Sequence, residues 1–550
     1  MLDPMSALVS SVLLALALPL IQIYRHLRTL QSLPYPPGPP GRLVIGNVLD
    51  IPNTQRYRVF ASWAKQYDNA VVSFQVPGFC TVVLNSLEAT KDIFEKRSGI
   101  YSDRPQIEMI TLMGQNFAVP AMRYSKEWRI NRSMVIQPFR PKIVPLYHPV
   151  LRSSVTAMLK VVLDRPGSVV DEVKRYAGTL PIKIVYGRDM DGKTDHHFKI
   201  GEEVAAMGGS VVFPGAIMVT MFPFLKHFPK WLPGIRGFKT FAEKSRKMCH
   251  ELINDLYDDV KRDMEAGVSN TSLAADFIRR INAKEEEERD ERSSIYLDEQ
   301  RIKEVMTTIH LAAADTSEAS ISVAILTLLL HPDVQARAKV EIDAVVGRER
   351  LPDFGDRASP GDRVYSLANQ HNKDETIGDD RSDNAKLVYV EAVCRELLRW
   401  IVVLPLGVPH AAFKDDVYEG MFIPKGAIIV GNAWAILHDP VRYPNPEEFR
   451  PERFITEDGR LNDDIVLPAF GFGRRSCPGR HLANSTIWLA VVSMLSVFDI
   501  VKAKDENGDE IDVAVEMEES TICHPKPFKC EARVRDNRAA ALIRSLGSDK

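Results

Sequence analysis

The feature that most constrains this chain is a glycine-rich loop near its C-terminus, 470–480, which carries one cysteine and a basic cluster. Glycines at 471, 473 and 479 allow turn conformations closed to other residues and let the backbone approach a flat, bulky group. A helical pattern begins directly after the loop. Its opening amides and the adjacent arginines would stabilise a thiolate at Cys477. The alternative is a buried structural cysteine at a helix N-terminus.

The full pattern of the loop, Phe-x-x-Gly-x-Arg-x-Cys-x-Gly, resembles the haem-binding loop of the cytochrome P450 family. The resemblance implies that Cys477 is the axial thiolate ligand of the iron of haem b. It also implies that Phe470, Gly473 and Arg475 belong to the haem-binding residues, with Arg475 as a propionate contact. The expected fold is mainly α with a small β lobe, the cytochrome P450 fold, preceded by one N-terminal transmembrane helix.

An acid and a base, Glu396 and Arg399, stand at i and i+3 in a run that reads as a buried helix. Arg453 follows in the segment Phe-Arg-Pro-Glu-Arg-Phe. The resemblance implies that these three residues form a buried Glu-Arg-Arg network behind the haem. Such a network is stable only if every charge is paired, because a lone buried charge costs several kcal/mol.

A long, largely apolar run, 302–330, predicts a helix that contains an unusual acid–alcohol pair, Asp315 and Thr316. Threonine within a helix can bond back to a carbonyl and bend the helix. By resemblance this is the long helix over the distal haem face, where Thr316 steadies iron-bound oxygen and Asp315 delivers protons. Many family members carry glycine where this chain has Ala313, and the extra methyl would either tighten the oxygen pocket or weaken the local kink without removing the relay. The alternative to a proton relay is a polar pair on a solvent-exposed face of the helix.

Two further segments supply candidate haem contacts. Trp128 and Arg132 are four residues apart, so they project from one side of a helix and can reach one anionic group. In the family such a pair donates to a haem propionate, and an indole N–H and a guanidinium are suitable donors. His410 matches another propionate contact, with a satisfied loop histidine as the alternative.

The N-terminal run 6–24 is nearly all apolar, and as a helix it would span roughly 28 Å, close to the hydrocarbon thickness of a bilayer. Basic residues follow the run and none precedes it. This pattern predicts a single-pass anchor in the endoplasmic reticulum membrane with the catalytic domain cytosolic. Cleavage of a signal peptide near Ala17 is the alternative. We predict an anchor over 1–30, a Pro-rich hinge that acts as a spacer over 31–45, and a haem-thiolate monooxygenase domain over 46–550.

Composition excludes several classes of protein. The net charge of −3 argues against a nucleic-acid partner. The six cysteines show no paired metal spacing, and five free thiols fit a reducing cytosol. No flavin or nicotinamide domain fits in 550 residues, so NADPH and flavins are expected only through a separate NADPH-cytochrome P450 reductase. A basic docking face for this partner is predicted from five residues, with solvated surface as the alternative. They are Arg123, Lys126, Arg129, Arg474 and Arg480.

Periodicity predicts strands near 71–74 and 81–84 and helices over 150–163, 241–265 and 332–345. A charge-rich stretch, 282–294, predicts a mobile loop. The segment 361–386 is poor in apolar residues and lies where related sequences cross with a shorter loop. It is either a tolerated surface insertion or a retained intron.

The positions expected by analogy to line a substrate pocket are mostly apolar, which suits a lipophilic substrate. They are 105–121, 308–312, 402–408 and 520–524. Two segments, 432–440 and 524–530, resemble those of fungal family members that tailor terpenoids, polyketides or aromatic alkaloids. The resemblance therefore implies an oxidoreductase that uses O2 to oxidise a lipophilic small molecule of fungal secondary metabolism, either terpenoid, polyketide or aromatic. Three alternatives stay open: haem-dependent rearrangement or dehydration, xenobiotic oxidation, and a non-catalytic haem or scaffold protein.

Overall fold

The computed structural model describes residues 33–52, 54–189, 192–210, 214–286, 298–363, 385–518 and 520–546. The described chain divides into two compact units. The smaller unit consists of residues up to Pro105 together with Pro409–Asn432. The larger unit consists of Gln106–Val408 together with the residues from Ala433 onward.

The smaller unit is built around a four-stranded sheet. Its helices are α1 Arg56–Gln66, α2 Leu87–Lys91 and α3 Ser98–Tyr101. Its strands are β1 Val71–Val76, β2 Phe79–Leu84, β3 His410–Ala411, β4 Asp416–Tyr418, β5 Met421–Ile423 and β6 Ile428–Gly431. The sheet order is β1-β2-β6-β3, with β2 and β6 parallel and the other two pairs antiparallel, while β4 and β5 form a separate hairpin. Both strands predicted from periodicity are confirmed as β1 and β2.

The described part of the predicted Pro-rich hinge lies along β1. Ser73 donates from its backbone N–H to the Pro37 carbonyl at 2.8 Å and from its hydroxyl to the Pro36 carbonyl at 2.6 Å. A Cβ at Gly38 would lie 1.8 Å from the Ser73 carbonyl oxygen, so only glycine fits at this close approach. These contacts attach the segment to the sheet. The boundaries of the three predicted domains stay predictions.

The larger unit is mostly helical. Its α-helices are α4 Glu108–Leu112, α5 Lys126–Ile136, α6 His148–Asp164, α7 Val169–Tyr186, α8 Gly192–Gly209, α9 Pro214–Met221, α10 Ile235–Glu265, α11 Leu273–Glu286, α12 Glu299–Leu330, α13 Pro332–Val345, α14 Val388–Trp400, α15 Ala433–Leu437, α16 Arg480–Val497 and α17 Asn537–Ser545. Its strands are β7 Phe498–Lys502, β8 Met517–Glu518, β9 His524–Pro525 and β10 Cys530–Val534. Strands β7 and β10 pair antiparallel, as do β8 and β9.

Helix α12 is the central element of the larger unit and packs against α7, α8 and α16. The Asp298 side chain caps it by accepting a hydrogen bond from the Arg301 N–H at 2.7 Å. Its first turns, up to His310, and its last turns, from Ala319, are largely buried, whereas side chains at 311–318 remain accessible. The helix is therefore a core helix whose middle turns border open space.

The predicted helices are confirmed, with some changes at their ends. Helix α13 begins and ends at the predicted residues, while α10 begins six residues earlier, after Gly234 in a left-handed turn at φ 80°. The prediction of a loop from residue 282 is wrong at its start, because α11 continues to Glu286. The rest of that loop lies outside the described residues.

The two ends of the predicted insertion 361–386 meet in space. The backbone N–H of Leu387 donates to the Asp356 carbonyl at 2.9 Å, and Arg357 and Leu387 form a parallel bridge. A surface insertion requires that its two ends lie close together, because the inserted loop can then extend from the surface without disturbing the surrounding packing. Residues 364–384 lie outside the described residues, so the choice between insertion and retained intron stays open.

The predicted membrane anchor also lies outside the described residues. Within the described part of the chain, α12 has the length and apolar composition of a membrane span. Over its most apolar window, 56% of that helix is buried inside the protein, as in the core helix of a globular domain.

Candidate active site

The glycine-rich loop folds into a tight turn that ends at the start of α16. Gly471 and Gly473 have φ values of 77° and 54°, in the left-handed region that favours glycine. The Cys477 N–H donates to the Phe470 carbonyl at 2.7 Å, which closes the turn. The loop geometry thus places the cysteine just before the helix, as predicted.

The environment of the Cys477 thiol combines burial with positive charge. Burial raises the pKa of the thiol above its ordinary value. The Gly479 amide donates to the sulfur, and this bond and the charges of Arg132 and Arg480 act on the pKa in the opposite direction. The amide and the two charges therefore act toward the thiolate, in the direction that the sequence predicted, and burial acts against them. A bound cation is needed to complete the deprotonation, as for any coordinating thiol.

Helix α5 brings both predicted propionate donors to the same loop. The hydroxyl of Ser125 caps the helix by accepting from the Trp128 N–H at 3.1 Å. Arg132, one turn further, donates to the carbonyl of Ser476, the residue before the cysteine. The Arg475 guanidinium lies 4.1 Å from the centre of the Trp128 ring, a cation–π contact. Three predicted haem-binding residues are thereby brought together beside Cys477.

Several donors around the loop are buried and make no hydrogen bond within the described chain. They are Nε1 of Trp128, Nε of Arg132 and Nε of Arg480. A buried donor without an acceptor costs about 1–3 kcal/mol, so a cluster of three indicates an anionic ligand. The donors fit the carboxylates of a haem, and Cys477 offers a thiolate for its iron. The residues present therefore fit the predicted cofactor.

The acid–alcohol pair lies in the accessible middle turns of α12. The Thr316 hydroxyl donates to the Ala312 carbonyl at 2.9 Å, the back-bond expected for a threonine within a helix. Asp315, next to it, accepts from Nε2 of His524 at 2.9 Å. The prediction identified the pair but missed its histidine partner, because His524 was assigned only to the lining of the substrate pocket.

The predicted Glu-Arg-Arg network is confirmed. Glu396 accepts from Nε and Nη2 of Arg399 at 2.6 and 2.8 Å, and from Nε of Arg453 at 2.9 Å. The backbone N–H of Arg450 adds a fourth bond at 2.8 Å. Both Glu396 and Arg399 have fully buried side chains.

His410 belongs to the smaller unit, where it is buried in β3. Its Nδ1 lies 2.7 Å from the Tyr101 carbonyl oxygen, and its ring lies 4.2 Å from that of Phe94. A carbonyl can only accept, so Nδ1 carries a proton and Nε2 is left to face other groups. The assignment of His410 as a haem contact stays a prediction.

Four of the five residues predicted for a basic docking face are exposed, and they lie around Tyr124. The guanidinium groups of Arg129 and Arg474 stand 5.4 and 5.6 Å from the Tyr124 ring centre. Arg123 and Lys126 are exposed as well. Arg480 differs, because its Nε is buried and its charge acts on Cys477. It belongs to the thiol environment.

Part of the predicted substrate lining gathers in an apolar cluster between α4, α8 and α10. Met109 and Met113 are fully buried there, and Phe117 nearly so. Two polar residues of the predicted lining are satisfied, because Glu108 pairs with Lys226 at 2.9 Å and Nε2 of Gln115 donates to the Val204 carbonyl at 3.0 Å. A third, His310, is buried, and its Nδ1 has no hydrogen-bond partner within the described chain. Met109, Met113 and Phe117 are therefore packed within an apolar cluster of the core.

Comparisons with known proteins agree with the site. The family model described as "Cytochrome P450" matches residues 36–359 and 368–532. A cytochrome P450 monooxygenase of Armillaria gallica is 37% identical over 516 residues, covering 93% of this chain and 94% of that protein. Another from Ampulloclitocybe clavipes is 35% identical and covers 94% of this chain and 89% of that protein. A tryptamine 4-monooxygenase of Psilocybe cyanescens is 31% identical and covers 92% and 94%.

Proposed function

The chain belongs to the cytochrome P450 family and is a monooxygenase, and from this premise we propose that it oxidises a lipophilic small molecule of fungal secondary metabolism. Dioxygen and electrons from NADPH, delivered by a separate NADPH-cytochrome P450 reductase, are the co-reactants. The observation that carries this proposal is the Cys477 turn with three unsatisfied buried donors beside it.

In this proposal Cys477 ligates the iron of haem b, and Trp128 and Arg132 donate to a propionate. Arg475 stacks on the Trp128 ring and keeps the indole in place. Arg480 helps to balance the charge of the thiolate. Phe470 and Gly473 shape the turn. When bound, the haem supplies the oxygen activation and the oxidation of a substrate C–H bond, with the thiolate favouring O–O cleavage.

Thr316 and Asp315 of α12 are the residues that bind and transfer protons at this site. The Thr316 hydroxyl gives its own hydrogen to the Ala312 carbonyl, so its oxygen is free to accept another hydrogen bond from the accessible side. Asp315 is the adjacent group that can take up and release a proton. This pair supports oxygen activation over a rearrangement that consumes no dioxygen, and a requirement for NADPH distinguishes the two.

The mostly apolar composition of the predicted substrate lining, 105–121 with 308–312, 402–408 and 520–524, supports a lipophilic substrate, because an apolar pocket favours burial of apolar surface and offers few hydrogen bonds. The relative named as a tryptamine 4-monooxygenase supports small aromatic compounds as one class to screen first. Terpenoid and polyketide intermediates are the other two classes.

The proposal includes a location and a partner. The apolar run 6–24 anchors the protein in the endoplasmic reticulum membrane, with the catalytic domain in the cytosol. The exposed cations Arg123, Lys126, Arg129 and Arg474 form the docking face for the acidic reductase. Reversal of the charges of Arg129 and Arg474 is expected to weaken turnover supported by reductase and its dependence on salt.

The test is the carbon monoxide difference spectrum of the reduced, full-length protein in microsomes. We expect the red-shifted Soret band typical of thiolate-ligated haem, and we expect Cys477→Ser to abolish it. The matched control is Cys249→Ser, since Cys249 is a buried thiol beside Ser245 at 3.9 Å and outside the loop. A wild-type protein without the band, or a Cys477→Ser variant with it, would refute the proposal.

A further inference from the structure

A histidine from the C-terminal hairpin completes the acid–alcohol site of α12. His524 begins β9, and its Nε2 lies 2.9 Å from Oδ1 of Asp315 while its Nδ1 lies 3.8 Å from Oε1 of Glu318. A carboxylate can only accept, so Nε2 carries the hydrogen of this bond. The three side chains place their polar atoms within 4.8 Å of one another.

The hairpin that carries His524 is held on both sides. The Cys523 N–H donates to the Val403 carbonyl at 2.8 Å, and the Thr521 hydroxyl donates to the Gly209 carbonyl at the end of α8 at 3.1 Å. Both bonds come from residues just before the histidine, and after it the Lys526 N–H donates to the Glu516 carbonyl at 2.8 Å. They define the distance between its ring and Asp315, so the pair is a built contact rather than a chance meeting of surface side chains.

The charges facing His524 come from each neighbouring element. Asp315 and Glu318 lie on α12, while Lys174 of α7 pairs with Glu318 at 3.8 Å and with Glu202 of α8 at 3.0 Å. Glu518, the cross-strand neighbour of His524 in β8, is exposed. Burial lowers the pKa of His524 and Lys174 acts the same way. The hydrogen bond and charge of Asp315, with Glu318, outweigh both and raise the pKa above its ordinary value of 6.5.

The histidine also has the right position between water and the interior. Its side chain is 24% exposed and that of Asp315 is 22% exposed, so water reaches the imidazole. A small cavity beside Asp315, lined by Glu318, Glu202 and His310 together with apolar groups such as Phe198 and Leu311, has room for about one water molecule. Asp315 therefore contacts both a titratable group open to solvent and a cavity that can hold one water.

We propose that His524 is a positioning residue that orients Asp315 and supplies it with protons from solvent, an inference that rests on the proposed monooxygenase function. Protonated His524 passes its Nε2 proton to Oδ1 of Asp315, so that one N–H bond breaks and one O–H bond forms. The carboxylic acid then gives that proton to a water molecule in the adjacent cavity, which restores the carboxylate, and the neutral imidazole takes up a proton from the solvent. No electrons change hands in these steps.

Two substitutions separate orientation from proton transfer. In His524→Gln the amide nitrogen can occupy the place of Nε2 and still donate to Asp315, but it cannot give up a proton. In His524→Asn the shorter side chain cannot reach Oδ1. The matched control is His196→Gln, because His196 forms a similar imidazole–carboxylate pair, with Glu251 at 2.6 Å, elsewhere on the larger unit.

The first readout is consumption of NADPH and release of peroxide with added reductase, measured against pH and in heavy water. Wild type is expected to slow as His524 deprotonates. His524→Gln keeps Asp315 oriented and is expected to lower the rate about tenfold and to flatten the pH profile above neutrality. His524→Asn also loses the orientation of Asp315, so it is expected to lower the rate further and to release more peroxide per NADPH than His524→Gln. His196→Gln should match wild type. If His524→Gln keeps the wild-type rate, profile and isotope effect, proton transfer by His524 is refuted.

The second readout does not depend on activity. A raised histidine pKa contributes stability that is present below its unfolded value and is lost as pH rises through the folded value. The melting temperature of wild type should therefore exceed that of His524→Gln by about 1–3 °C near pH 6, and the gap should close near pH 9. A gap independent of pH would overturn the charged pair. Absence of the thiolate-type band in wild type would instead contradict the proposed function itself.

Discussion

The buried Glu396 carboxylate gives the sharpest prediction, because four hydrogen bonds converge on it with no access to water. Arg399 supplies two of them and Arg453 one, and Arg399 also donates to the carbonyls of Pro446 and Leu437 at 2.8 and 3.1 Å. The helix α14 and the segment before the haem-binding loop are thus joined through one carboxylate.

The perturbation is Glu396→Gln, which keeps the size of the side chain and removes its charge. The guanidinium groups of Arg399 and Arg453 then remain buried without a carboxylate to pair with. The new amide NH2 is itself a donor, so it faces an arginine N–H and cannot accept from it. Breaking a buried ion pair from one side costs about 3–5 kcal/mol, a large part of the stability of a typical domain. We therefore expect a fall in melting temperature of roughly 3–5 °C, because a domain of this size has a large entropy of unfolding, and loss of most haem incorporation.

The matched control is Glu452→Gln, because Glu452 pairs with Arg337 while 41% and 51% of their side chains are exposed. The same chemical change at an exposed pair should cost less than about 1 kcal/mol. The assay is thermal unfolding together with the fraction of purified protein that shows the reduced carbon monoxide band. If Glu396→Gln unfolded within about 1 kcal/mol of wild type and held a full complement of haem, the argument from buried charge would fail.

Two other substitutions test the haem side of the site. Thr316→Ala removes the hydroxyl that bonds to the Ala312 carbonyl and is expected to lower the product formed per NADPH by roughly tenfold, with peroxide released instead. The control Thr327→Ala removes an equivalent back-bond in the buried part of α12 and should leave that ratio unchanged. Equal product per NADPH in both variants would refute the role of Thr316. Trp128→Phe removes a buried indole donor and is expected to speed transfer of haem to an acceptor protein about 10- to 100-fold, the equivalent of one hydrogen bond to a charged group. Trp488→Phe removes another buried indole donor, in the core, and should change stability without that effect, so similar haem loss from both variants would contradict a propionate contact.

Patterns in the sequence predicted the helices and turns well where interactions between residues close in the chain determine them. The Cys477 turn needs glycine at positions with positive φ, and the pattern of glycines was enough to predict it. Helix α13 begins at Pro332, a residue suited to the first position of a helix, and it ends where expected. The helix α11 was cut short because its charged end resembles a loop in composition. Ends of elements depend on neighbours that a local pattern does not contain.

The sequence by itself determined the family, the cysteine turn, the acid–alcohol pair and the members of the Glu-Arg-Arg network, because each is a short motif that can be identified from its residue types and their spacing. Only the tertiary structure decided which distant groups complete them. The structure shows that His524 contacts Asp315 and that Arg480 lies beside the Cys477 thiol, outside the predicted docking face. It also shows that Cys477 is buried, which raises the pKa of its thiol. The physical reason is that burial and electrostatic interaction depend on distances in space, and separation along the chain does not determine those distances.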